Sequence, residues 1–449
     1  MGSALLEIVP VSWSICAEAP LRRSGAIIHD ALVFTVGSSA CESDVLSDIL
    51  SLNSLRNIKM VESGKARASK RGRKGRSGGI GKADEIMDGE IWKDFPEDLF
   101  EAVMARVSIA TFFRFRSVCR KWNSFLTSQT FSQQCGQVKH AKPWFYAITK
   151  GKDVYTGTGS MYDPSLNKWH HPTLAALPSK VIKSPVASAG GLICFADFSY
   201  RSFYVCNPLT RSFKELPARS GPVWLRAVVG MTQMQNGGYK ILCVGSDGDY
   251  QVYDSAINSW ISPGSMPPSI KLPLELTVFM CREVATEGRL YFMGSEPDGI
   301  LSYEVNTGMW RQYAVSAPPH MSLSGHTVAE SGGRIMMVGL LKEDAASCVS
   351  IWELEMTTLL WKEVDRMPNE WCLEFYGKKY VTMHCLGNEA LLMLSLRTSY
   401  KNRLFTYNLS TREWLKLPGS VLPTTCTGRR KTLWVAYGIA FHPCLTAIP

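Results

Sequence analysis

The sequence predicts a multidomain α plus all-β protein: a small helical domain over residues 91–136, then a six-bladed β-propeller over residues 142–445. Three observations predict it. Apolar residues recur at helical spacing between Ile91 and Cys135. Beyond Pro143 the texture changes to short β-type runs broken by Gly, Pro and Asn, the pattern of a sandwich, barrel or propeller. Those runs repeat six times with a period near 50 residues, which selects the propeller.

In chain order, the first 90 residues read as a disordered tail. Only Val45 to Ile58, with Leu46, Ile49, Leu50, Leu52 and Leu55, approaches a helical stripe, and a helix this short is marginal alone. Ser63 to Gly81 cannot bury enough apolar surface to fold and reads as a linker. Within it, Lys65 to Arg76 carries seven Lys or Arg and no acid; removing those charges from the net +10 leaves +3. The folded part is therefore close to neutral, which argues against a nucleic-acid partner, and the basic run reads as a nuclear-import signal or solvated linker. No stretch approaches the ~18 apolar residues of a membrane span. The 13 cysteines contain no C-x-x-C, as expected of reduced thiols, and the N-terminus lacks a secretory pattern. Nucleus and/or cytosol is the expected location.

The helical block opens with Pro96, which costs nothing in a first turn, and with Glu97 and Asp98, which suit the positive end of the helix dipole. Leu99, Val103 and Val107 repeat at four residues, as do Val118, Trp122 and Leu126, and Ser108 is placed to cap a second helix. About three helices follow. So small a unit cannot bury every apolar side chain, and the surplus (Phe95, Pro96, Leu99, Phe112, Phe115) predicts a partner protein.

In the β region, Trp169, Phe213, Trp260, Trp310, Trp361 and Trp414 are separated by 44, 47, 50, 51 and 53 residues. Six residues before each stands Asp163, Asn207, Asp254, Glu304, Glu355 or Asn408, preceded by Tyr in four units. The second unit uses Cys206, and the fifth uses Leu354 or, with a two-residue slip, Trp352-Glu353. Glycine turns such as Gly190-Gly191 and Gly332-Gly333 lead into apolar runs. The period is that of kelch repeats, one four-stranded blade each. The large aromatics are expected between neighbouring blades. A surplus run, Leu433 to Phe441, is predicted to supply the missing inner strand of blade I and close the ring.

Phe95-Pro96-Glu97-Asp98-Leu99 and Arg114-Phe115-Arg116-Ser117-Val118-Cys119-Arg120-Lys121-Trp122 closely resemble the F-box pattern of Leu-Pro-x-Asp-Leu and Arg-Phe-Arg-x-Val-Cys-Lys-x-Trp. Phe95 replaces the first Leu, and Val107-Ser108 stands where the family has a second Leu-Pro. With the repeats, the chain looks like a plant F-box/kelch-repeat protein. That resemblance implies the substrate-recognition subunit of an SCF-type cullin-RING ubiquitin ligase. Docking on a Skp-type adaptor, and through it on cullin and RING subunits, would fall on Phe95, Pro96, Leu99, Val118, Cys119 and Trp122. The propeller would hold an unidentified protein substrate. The implied mechanism is proximity, so no catalytic residue, cofactor or metal is expected.

Two other readings compete with this one: a propeller scaffold without ligase linkage, and a copper-oxidase-like enzyme. Copper needs clustered His and Tyr. The nearest candidates are His170-His171, expected as exposed turn residues, and His320 with His326, expected in a loop. For the substrate, irregular polar loops are the candidates: Gly151 to Ser160, Phe198 to Ser202, Lys342 to Ser347 and Arg397 to Asn402.

Overall fold

Each blade is built on one hairpin, and its residues are those of the sequence repeat. The computed structural model describes residues 96–138, 143–149, 159–170, 185–268 without 225 and 236, 284–318 without 287, 296 and 297, 321–375 without 344 and 345, 378, 381–398, 402–417 and 434–449. In it the third and fourth strands of the six blades pair Tyr162 with Trp169, Cys206 with Phe213, Tyr253 with Trp260, Tyr303 with Trp310, Leu354 with Trp361 and Tyr407 with Trp414. The fifth unit thus uses Leu354, without a slip. Between the strands, Asp163, Asn207, Asp254 and Asn408 each accept a bond from the backbone N–H two residues on, at 2.8–3.0 Å. This Asx geometry reverses the chain. The residue that completes the turn (Asn167, Arg211, Asn258, Gly308, Leu359 or Arg412) has φ between 50° and 71°.

As expected, the repeat aromatics also reach the preceding blade. Trp260 lies 5.0 Å from Phe203 and donates its indole N–H to Pro217 O at 2.8 Å, and Trp310 lies 5.6 Å from Tyr250. Phe213 is the exception and is exposed on the outer surface of its blade.

The described residues form six four-stranded antiparallel sheets. Blade I consists of Trp434–Phe441, Trp144–Thr149, Gly159–Asp163 and Lys168–His170, in that order. The C-terminal run is therefore its innermost strand, as predicted, with Trp144 opposite Phe441 and Ala147 opposite Gly438. The innermost strands of the other blades are Ala187–Ala189, Ala227–Gln233, Val284–Thr286, Met321–Ser331 and Thr382–Asn388. Each touches the next, and Thr382–Asn388 touches Trp434–Phe441, so the ring closes. Buried apolar side chains fall into six clusters, each shared by two adjacent blades.

Where the sequence suggests about three helices, the described residues of this domain form four short ones: α1 (Glu97–Arg106), α2 (Ile109–Arg116), α3 (Arg120–Asn123, continued by a 3-10 turn) and α4 (Gln129–Gln137). Caps set the breaks. Ser108 Oγ accepts from Thr111 N at 3.3 Å, Cys119 Sγ from Trp122 N at 3.5 Å and Ser128 Oγ from Phe131 N at 3.2 Å. The core of this domain runs on into blades I and II. One cluster holds Met104, Ile109, Phe112, Phe125, Phe131 and Cys135 together with Trp144, Tyr146, Ile193, Phe195, Tyr204, Leu209, Phe441 and Leu445.

That continuity corrects one expectation. Phe112 is no surplus residue: it is 0% exposed and stacks on Phe131 at 5.1 Å. The tail, its Val45–Ile58 stripe, the basic run and Phe95 lie outside the described residues.

Candidate functional site

In α1 almost every residue from Leu99 to Ala105 is apolar, so periodicity alone does not say which face is buried. The structure turns Phe100, Met104 and Ala105 inward and leaves Leu99 50% and Val103 51% exposed. Val118, in the turn before α3, is 39% exposed. Trp122 links the two segments: its ring lies 5.4 Å from Phe100 of α1 and 5.4 Å from Phe115 of α2. Leu99 and Val103, one turn apart on α1, form an exposed aliphatic patch, with Val118 exposed in the turn before α3.

The predicted adaptor residues thus divide. Pro96, Leu99, Val118 and Cys119 are exposed, whereas Trp122 is half-buried and holds the domain together. Val103 joins the patch; its place four residues after Leu99 is visible in the sequence, but that spacing reads as core.

Carboxylate and guanidinium groups brace this surface from behind. Glu101 is buried and accepts from Ser128 Oγ at 3.0 Å and Thr130 Oγ1 at 2.5 Å, tying α1 to the start of α4. Arg116 donates to Asn123 Oδ1 at 3.2 and 3.0 Å and sits 5.3 Å from the Phe113 ring. Burial lowers the pKa of this guanidinium. Arg116 thus joins α2 to α3.

Strand direction separates a second surface from the first. In an antiparallel meander the 1–2 and 3–4 turns lie at one end, and the 2–3 and 4–1 connections lie at the other. The helical domain enters blade I at the start of its second strand and covers Leu209 in a 3–4 turn, so it occupies the first end. All four candidate substrate loops connect second to third strands, and the described ends of those strands lie at the opposite, distal end.

Phe198 to Ser202 is the one of the four described in full. Asp197 accepts from Ser199 N at 3.2 Å and Arg201 N at 3.0 Å, and Tyr200 tucks its ring inside with φ 49°. Buried Arg219 donates to the carbonyls of Tyr200 (2.9 Å), Ser220 (3.0 Å) and Pro222 (2.5 Å). Its guanidinium lies 3.5 Å from the Trp224 ring, and Trp224 donates its indole N–H to Asp247 Oδ2 at 2.8 Å. Burial pulls the Arg219 pKa down, against the nearby Asp247 and Asp197 carboxylates. Phe198 and Val223 stay exposed beside this braced group. Sequence reasoning misses Arg219 and Trp224, although Trp224 falls outside the repeat register and is a visible signal.

The metal candidates sit elsewhere than expected. His170 ends a strand, stacked 5.2 Å from Trp144, and His326 pairs with Gly339 inside a strand, so neither is a turn or loop residue. His171 and His320 lie outside the described residues. Among the described residues no three His, Cys, Asp or Glu side chains gather as a metal would require.

Comparison with known proteins adds two family matches. Residues 92–134 match the F-box domain and residues 146–407 match the F-box associated beta propeller domain. The chain is 54% identical to F-box only protein 6 of Arabidopsis thaliana, over 82% of this chain and 78% of that protein. It is 26% identical to Protein UNUSUAL FLORAL ORGANS of the same plant, over 80% and 87% of the two chains. It is 25% identical to an F-box/kelch-repeat protein of Arabidopsis thaliana, over 74% and 83%.

Proposed function

Because the chain belongs to the plant F-box proteins that carry an F-box associated β-propeller, we propose that it is the substrate-recognition subunit of an SCF-type ubiquitin ligase. The observation that carries this reading is the exposure of Leu99, Val103 and Val118 on a helical domain whose other described apolar side chains, Pro96 and Cys119 aside, are buried or half-buried. The patch fits the groove of a Skp-type adaptor, which brings cullin and RING subunits with it. The distal end of the propeller takes the substrate protein, with the braced blade II loop as part of the contact surface. The chain does no bond chemistry: holding substrate near a charged conjugating enzyme raises effective concentration, and that is its contribution. The six-fold repeat supports a kelch-like origin for the blades, and the basic run supports nuclear import, with work in the nucleus and/or cytosol.

Co-purification of the full chain with a Skp-type adaptor tests the reading. Wild type is expected to bind, and Pro96→Ala with Leu99→Ala to weaken binding by roughly tenfold or more while changing stability by under about 0.5 kcal/mol, both residues being exposed. A wild-type chain that ignores the adaptor, or a double variant that binds as well, would instead favour a propeller scaffold without ligase linkage.

A further inference from the structure

Blade II departs from its neighbours at one turn. Blades I and III begin their 3–4 turns with Asp163 and Asp254, whose carboxylates accept the turn's N–H groups. Blade II has Asn207, and its Oδ1 does the same work, accepting from Leu209 N at 3.0 Å and Thr210 N at 3.4 Å. The amide nitrogen reaches further, since Nδ2 donates to Cys444 O at 2.8 Å and to Ala447 O at 2.9 Å. Asn207 is 0% exposed, so both donors are spent on those carbonyls out of reach of water. An aspartate would preserve the turn but would set a carboxylate against two carbonyl oxygens.

The carbonyls belong to the segment 442–449, which follows the closing strand. Cys444 packs on the backbone of Gly191, where a Cβ would stand only 2.5 Å from the Cys444 side chain and φ is +86°. Leu445 is buried in one cluster with Phe131 and Cys135 of the helical domain and with Ile193, Cys206 and Leu209 of blade II. Ala447 packs against the blade II–III cluster. The Leu445 cluster sets α4 beside segment 442–449, and burial pushes the pKa of the Cys135 thiol up to about 12, with nearby Cys444 adding to the rise.

We propose that residues 442–449, anchored by Asn207, form a strut that fixes the helical domain on the propeller, with Asn207 as a positioning residue. The strut holds the adaptor patch and the distal face in one orientation. Its purpose rests on the receptor reading; its existence does not.

Hydrogen exchange on the full chain, comparing wild type with Asn207→Asp and Leu445→Ser, tests the strut directly. Amides of α4 and of residues 442–449 should exchange roughly tenfold faster in both variants, with blades IV and V unchanged. Unchanged exchange in α4, or equal loosening of all six blades, overturns the proposal. Self-ubiquitylation in a reconstituted ligase then reads positioning, which a merely stabilising contact would not move. Asn207→Asp should keep its adaptor affinity and spread modification over more lysines than wild type. An unchanged lysine pattern beside a loosened α4 overturns the positioning role. Failure of wild type to bind the adaptor overturns the receptor reading and leaves the strut to be judged by exchange alone.

Discussion

Leu99 and Phe100 are adjacent, equally apolar, and opposite in fate. Propensity treats them alike; Phe100 turns in because Trp122 and Phe125 lie 5.4 and 5.9 Å from its ring, and Leu99 is left outside. Glu101 shows the converse. A charged residue at a helix start reads as solvated, yet here it is buried because Ser128 and Thr130 supply both its oxygens with donors. Glu101→Ala should therefore cost about 1–3 kcal/mol, measured by denaturant unfolding, and should expose the start of α4. Arg412 is an exposed side chain held at φ 58°, a conformation the chain elsewhere gives to Asn167 and Asn258. Arg412→Asn should raise stability by up to about 1 kcal/mol.

Glu374 supplies a pH dependence at the same scale. Its hydrogen bond to Lys416, then that to Arg403, hold its carboxyl below the usual carboxylate range. Its folded value is thus below its unfolded one, so the stability it contributes is present above the unfolded value and is lost as pH falls through the folded one. Glu374→Gln should flatten that acid limb in unfolding titrations, at a cost of about 1 kcal/mol or less at neutral pH, because the pair is partly exposed.

At the scale of the element, the 3–4 hairpin explains why the repeat is legible. Its spacing of six residues is a turn plus one cross-strand pair, and both are local. The variations are local too. Tyr162 and Tyr253 donate to Asn167 at 2.9 Å and to Asn258 at 2.7 Å, whereas the turn after Tyr303 is completed by Gly308. Tyr162→Phe and Tyr253→Phe should each cost about 1 kcal/mol, with Tyr303→Phe close to neutral in the same thermal assay. The short helices are less legible. Their ends rest on caps that a sequence offers in excess, and their inward faces depend on a partner domain lying beyond the window that periodicity inspects.

For the whole molecule, closure is the decisive event. Gly438 lies where a Cβ would collide with the carbonyl oxygen of Tyr146, so Gly438→Ala should displace the closing strand. We expect a loss of at least about 2 kcal/mol and a broader thermal transition, read by calorimetry. The ring, its six blades and the C-terminal closure follow from repeats and a surplus strand, because hairpin chemistry is written within a few tens of residues. Periodicity also marks the helical domain as too small to satisfy itself. Which of its apolar residues remain outside depends on how its helices pack on one another and on the blades, and Asn207 reaches segment 442–449 across more than two hundred positions. Burial is a property of the assembled ring, and no local pattern carries it.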